Sequence, residues 1–271
     1  MKPKTTFTKK DLLATLACVV FLLLTVAAVG PRGRRHAKDM LCLSNLSKWG
    51  TVFHSFLQYN NGKFMRGMHQ DSPYQTTDYW MDALRPYYAN NHKLRCCPEA
   101  AIPGTELGQD PWGMIGSAFV AWGAFEGECG EPSSAWGWVV ACDYGSYGMN
   151  AWNCDSPYDD VHWPPYGYYW RTPNVAGANH IPLLGDHPWL DCWPDQVDEP
   201  PEYDGQPWPE TSQMGRVCIN RHQGFVNWVF LDFSARKVGL KELWTLKWHR
   251  RYEVDHPAPI WPPWMQNFPD Y

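Results

Sequence analysis

Residues 12–29 read LLATLACVVFLLLTVAAV, a run without a single charge, and beyond it apolar side chains recur at Cys42, Leu46, Trp49, Phe53 and Leu57. As a helix the first run would extend about 27 Å at about 1.5 Å per residue, close to the hydrocarbon thickness of a bilayer. The second set, spaced by four, three, four and four residues, lies on one stripe of an amphipathic helix. Together they predict a helix that is apolar all round in its first half and one-sided in its second, and the stripe requires a body to pack against. Gly30-Pro31 is expected to interrupt it, because proline lacks the amide donor and its ring crowds the preceding turn. A secretory signal peptide is the rival reading of the apolar run, with Lys9 and Lys10 as its basic region. The run is long for that, and no A-x-A site precedes a polar start, so a retained anchor is expected.

The remaining sequence has a different character. Among 271 residues there are 17 Trp, 24 Pro and 22 Gly, a composition suited to loops pinned by large side chains and not to a plain helical bundle. Residues 1–40 hold eight basic side chains against Asp11 and Asp39, so the net charge of -5 divides into +6 there and -11 over the rest. An acidic body argues against nucleic acid as a partner, since such binding depends on neutralising phosphates with Lys and Arg.

Asn60-Asn61-Gly62 is a turn signal that ends the helix. Thr77 to Leu84 reads as a short helix with Trp80 and Leu84 inward. Ala118–Trp122, Trp138–Ala141, Ser146–Trp152, Ile181–Leu184, Arg216–Asn220 and Val226–Phe233 read as strands, Ser234-Ala235 as a turn toward Arg236–Val238, and Leu240–Leu246 as helical. The expected fold is α+β: a long amino-terminal membrane or assembly helix packed on an antiparallel sheet with long loop inserts. The expected divisions are a basic leader-like segment 1–11, a transmembrane or assembly helix 12–29, its amphipathic continuation 30–60, an extracytoplasmic domain 61–256, and a Pro/Trp-rich tail 257–271 that wraps the body.

Cys42, Cys96, Cys97, Cys129, Cys142, Cys154, Cys192 and Cys218 lie beyond the apolar run, an even number without a C-x-x-C pair. That pattern suits disulfides in an oxidising compartment better than a zinc ribbon. The expected staple joins Cys42 to Cys96 or Cys97. Cys142 with Cys154 and Cys192 with Cys218 are the other pairings expected, which leaves Cys129 for the second member of the adjacent pair, among 105 possible arrangements of eight cysteines.

Several stations along the chain carry a family resemblance. Phe7-Thr8, followed by Lys9-Lys10-Asp11-Leu12-Leu13 and the apolar run, resembles a prepilin-type amino terminus. Cys42-Leu43-Ser44-Asn45-Leu46, continuing to Tyr59-Asn60-Asn61-Gly62-Lys63-Phe64, resembles the corresponding segment of type II secretion pseudopilin-like proteins abundant in planctomycetes. Arg95-Cys96-Cys97-Pro98 is similar to their R-C-P turn, Ser146-Tyr147-Gly148-Met149-Asn150 to their S-Y-G-x-N strand, and His222 to Asp232 to their H-x9-D-G signature, with Phe233 where the glycine is usual. The run VGLKELWTLKWHRRYEVD, Val238 to Asp255, resembles the closing segment of one subgroup. The resemblance implies a type IV pilin-like subunit of a pilus or type II secretion pseudopilus, anchored in a bacterial inner membrane with its domain in the periplasm or outside. Its implied partners are copies of itself or other pilin-like subunits and the assembly machinery. Asp11 stands at the family's glutamate position, where the carboxylate is thought to meet a neighbouring subunit's amino terminus inside an apolar bundle. Phe7 would begin the processed chain. Thr6, however, replaces the cleavage glycine, and a β-branched residue there fits a glycine-selecting peptidase poorly, so an uncleaved terminus is expected.

No nucleophile elbow, P-loop, H-E-x-x-H or dinucleotide fingerprint is present, and no enzyme is expected. His180, Asp186, His187 and Asp191 are acid/base or metal candidates set against ordinary loop side chains. Asp186, Asp191, Asp195 and Asp198 open the densest acidic stretch, able to offer calcium its oxygen ligands or to stand as a hydrated loop. His222 and Asp232 are expected to satisfy one another by hydrogen bonding near the core. The competing function is a membrane-anchored glycan-binding module that never polymerises, with Trp112, Trp122, Trp136, Trp138, Trp163 and Trp170 stacking on sugars; packing is the plainer use of such rings.

Overall fold

A computed structural model describes residues 8–67, 79–103, 115–123, 143–156, 166–206 and 212–271. Helix α1 runs from Lys9 to Tyr59. Thr8 caps it: its hydroxyl accepts the Asp11 amide at 3.3 Å, and the Asp11 carboxylate accepts the Thr8 amide at 2.9 Å, the reciprocal pair of a capping box. Pro31 lies inside the helix, and its two halves, Lys9–Thr25 and Gly30–Tyr59, are bent by 55°. The expected interruption at Gly30-Pro31 is therefore a bend just before the proline, where its ring meets the preceding turn. No single helix among the described residues is long and apolar enough to cross a membrane; the bent pair passes on length and composition.

The second half of α1 behaves as its stripe requires. Cys42, Leu46, Trp49, Phe53 and Leu57 are all buried, against α2 (Trp80–Tyr88) on one side and the sheet on the other. At Gly50 the backbone approach is close: a methyl group there would sit 2.8 Å from the Phe233 carbonyl oxygen. Asn61 and Gly62 take left-handed φ angles of 55° and 71°, and the Gly62 amide donates to the Leu57 carbonyl at 2.8 Å, so the predicted turn ends the helix.

The architecture is α+β. A small ladder pairs β1 (Trp122–Gly123) with β2 (Tyr144–Gly145). The main sheet comprises β3 (Tyr147–Asn150), β4 (Pro182–Asp186), β5 (Asp191–Cys192), β6 (Phe225–Phe230) and β7 (Ala235–Gly239), in the order β5-β3-β4-β6-β7. Its pairs are antiparallel except β3 with β5. The expected strand over 216–220 is instead the end of a short helix, α3 (Gln213–Val217), which Ser212 caps by accepting the Gly215 amide at 2.7 Å. The local cap outweighs the β-propensity of Val217 and Ile219. The expected strand over 138–141 lies outside the described residues.

Indole N–H groups fasten the loops. Trp49 donates to the Leu94 carbonyl at 2.7 Å, Trp80 to Leu190 at 2.8 Å, Trp122 to Tyr147 at 3.1 Å, and Trp152 to Pro194 at 3.0 Å. Each of these rings also buries a large apolar area, contributing on the order of 2 kcal/mol or more. The tail wraps the body as expected: Met265 is fully buried, and the Trp264 indole donates to the Pro201 carbonyl.

Candidate functional site

Asp39 and Cys42 are three residues apart on α1 and project from one face toward the sheet. Cys97 follows the single-turn helix His92–Arg95, and its amide donates to the Ser146 hydroxyl at 2.7 Å. Asp186 ends β4. His222 sits in the turn before β6, which Asn220 closes by accepting the Gly224 amide at 2.6 Å. These segments meet under the helix. One ligand atom from each of Cys42, Cys97, Asp186 and His222 lies within 4.8 Å of all the others, and all four residues are buried.

The spacing inside the cluster is close. The Cys42 sulfur is 3.7 Å from Asp186 Oδ1, the Cys97 sulfur 3.5 Å from His222 Nε2, and that nitrogen 3.1 Å from Asp186 Oδ2. On its other side the imidazole Nδ1 lies 3.4 Å from Asp39 Oδ1, which also accepts the Asn227 side-chain amide at 3.1 Å, while Lys237 pairs with the second oxygen. Arg221 holds Asp186 at 2.8 Å and donates to the carbonyls of Ala118 and Ser117. The Asn227 amide donates to Asp186 Oδ2 at 2.7 Å, and the Tyr147 hydroxyl lies 3.3 Å from the Cys42 sulfur.

Burial opposes every charge here, and the neighbours decide which survive. Desolvation works against the Asp186 carboxylate, but His222 and Arg221 outweigh it and hold the group well below the usual carboxylate range. Burial also disfavours the His222 imidazolium, yet Asp186 and Cys97 raise its pKa to about 10. Burial works against the Cys97 thiolate as well, but the hydrogen bond from Cys42 and the adjacent cations overcome it and bring the thiol down to about 7. Cys42, desolvated beside the same anions, is pushed well above the ordinary thiol value. The cluster thus holds one poised thiolate, one imidazole between two carboxylates and one buried guanidinium.

Several expected arrangements are replaced. His222 does not pair with Asp232: it turns inward to Asp186 and Asp39, while Asp232 accepts the Ser234 amide at 3.0 Å in the β6–β7 turn. Asp186, Asp191, Asp195 and Asp198 do not form one calcium constellation. Asp186 is committed to Arg221 and His222, Asp191 lies on β5 in register with Met149, and Asp198 accepts the amides of Asp195 and Met214 at 3.0 and 2.8 Å. His187 is buried with Nδ1 against the Trp189 amide, and burial lowers its pKa to about 3.

Cys18, Cys42, Cys96, Cys97, Cys192 and Cys218 are free thiols. Cys42 and Cys97 come within 4.8 Å of one another, but as free thiols and not as the expected disulfide. Cys192 and Cys218 do not pair, since their sulfurs face the Met149 carbonyl and the Met265 sulfur. Cys129, Cys142, Thr6 and Phe7 lie outside the described residues, as do Trp112, Trp136, Trp138 and Trp163. Trp122 is fully buried, and Trp170 donates to the Trp248 carbonyl at 3.0 Å, so both are occupied in packing.

Sequence reading gave Asp39 and Arg221 no place in a site, and among the remaining members it related only Cys42 to Cys97. Cys42, Cys97, Ser146, Tyr147 and His222 are spread over four motif stations, and the fold brings those stations to one point. No family model matches the chain, and neither a curated protein nor a solved structure does.

Proposed function

We propose that this protein is a structural subunit of a pilin-like filament, held in a bacterial inner membrane before assembly and polymerising through the first half of α1. The observation that carries the reading is the contrast between the two halves of that helix. Leu12, Leu13, Leu16, Phe21, Leu22, Leu23 and Leu24 are each 59–68% exposed, whereas the stripe from Cys42 to Leu57 is buried in the body. Exposed apolar surface of this extent marks a membrane or protein interaction site. In a filament, neighbouring helices would cover it, and the acidic body would face outward. Asp11 is engaged by Thr8 within its own chain and remains at the helix start, where it could also meet a neighbour's amino terminus.

Immunogold electron microscopy of sheared surface material tests this reading. Labelled filaments containing the polypeptide are expected; a protein that stays monomeric in the membrane fraction and enters no filament would overturn it.

A further inference from the structure

We propose that Cys42, Cys97, Asp186 and His222 form a tetrahedral site for one zinc ion, fastening the long helix to the sheet. This goes beyond the filament reading and does not depend on it.

The donor set is that of a structural zinc centre: two thiolates, an imidazole and a carboxylate. Bond lengths of about 2.3 Å to sulfur and about 2.0 Å to nitrogen or oxygen, at tetrahedral angles, require ligand edges of about 3.5 Å between sulfur and either nitrogen or oxygen, and about 3.3 Å between nitrogen and oxygen. Taken to one carboxylate oxygen, Asp186 Oδ2, the observed edges are 3.5 Å from Cys97 to His222, 3.9 Å from Cys42 to Asp186, and 3.1 Å from His222 to Asp186. These three edges lie within a few tenths of an ångström of tetrahedral spacing, and the four ligand atoms all lie within 4.8 Å of one another.

The surroundings agree. A metal-ligating histidine usually gives its second ring N–H to a carboxylate, and Asp39 lies 3.4 Å from His222 Nδ1. Tyr147 can donate to the Cys42 sulfur and Arg221 to Asp186. With both cysteines as thiolates and Asp186 ionised, a divalent ion leaves one negative charge, which Arg221 cancels. On binding, each thiol still protonated and the Nε2–H of the His222 imidazolium give their protons to solvent as sulfur and nitrogen bond the metal, while Nδ1–H stays on the ring toward Asp39. A cleft of about 590 Å³ lined by His36, Asp39, Glu99 and His222 opens onto the imidazole edge of the cluster.

Full-length protein, purified in detergent under mild reduction and exposed to excess zinc, should retain one zinc per chain after the excess is removed. Cobalt substitution should give the intense visible absorption of a tetrahedral ion with thiolate-to-metal charge transfer. Cys96→Ser, beside the cluster but not in it, should bind as the parent does, whereas Asp39→Asn should weaken binding about 10- to 100-fold. Cys97→Ser, which leaves one thiolate, should lower the charge-transfer band by at least half. Because the cobalt spectrum is read on the unaltered chain, it stays decisive where a variant fails to fold. Absence of bound zinc, a six-coordinate cobalt spectrum, or a Cys42–Cys97 disulfide in native material would each overturn the site.

Discussion

The imidazole of His222 reaches Asp39 on the long helix at 3.4 Å, not the Asp232 carboxylate ten residues after it in the chain. The relationship explains why α1 lies where it does. An apolar stripe alone fixes which face of a helix is buried; a buried polar pair also fixes its register along the sheet.

Asp39→Ala leaves His222 and the Asn227 amide without their acceptor in a buried setting, and should destabilise the fold by about 3 kcal/mol. Asp232→Ala removes only an exposed turn contact to Ser234 and should cost about 1 kcal/mol or less. Urea denaturation of the two variants gives the comparison. Equal losses, or a larger loss for Asp232, would contradict the pairing.

Phe233 occupies a left-handed φ of 65° while its ring packs edge-on against His54, with centroids 5.4 Å apart. The left-handed region disfavours any side chain by about 1–2 kcal/mol. Phe233→Gly and Phe233→Ala both remove the ring, but only glycine relieves the backbone. The glycine variant should therefore be the more stable of the two by about 1 kcal/mol, with midpoints of denaturation as the measurement.

This position also shows what sequence reading can reach. The departure of Phe233 from the glycine of the H-x9-D-G signature was visible, but its meaning is a torsion angle, which residue identity alone does not display. The stripe from Cys42 to Leu57 was legible because helical spacing projects onto one face, and the turn at Asn60-Asn61-Gly62 because its residues tolerate positive φ. The cluster was not legible: Cys42 and His222 are brought together by the order β3-β4-β6 under α1, and no local periodicity encodes a sheet's strand order. Asp186 was grouped with its acidic chain neighbours because proximity in sequence was the only guide.

Burial raises the Asp198 carboxyl to about 6, against the pull of the amides that it accepts. In the unfolded chain an aspartate titrates near about 3.9. Between those values the native state binds more protons, so stability conferred by the protonated group is present below about pH 4 and declines as pH rises through about 6, by on the order of 1 kcal/mol once partial exposure is allowed for. Asparagine at this position would keep an oxygen for the amides of Asp195 and Met214 without a titrating charge. In Asp198→Asn, the pH dependence of the denaturation midpoint across this window should flatten; an unchanged slope would show that other groups carry it.

The two halves of α1 should respond oppositely to charge. Leu16 and Phe21 are 59% and 67% exposed, so Leu16→Glu with Phe21→Lys should change the unfolding free energy of the body by about 0.5 kcal/mol or less. The same pair placed in a bilayer core would meet a penalty of about 3 kcal/mol for each charge by the insertion scale. The double variant should keep the parent's urea midpoint in detergent yet lose its flotation with membrane vesicles. Trp49→Glu, within the buried stripe, should do the reverse and unfold the body. Continued flotation of the double variant, or a lowered midpoint, would mean that residues 12–24 are not the membrane-facing segment.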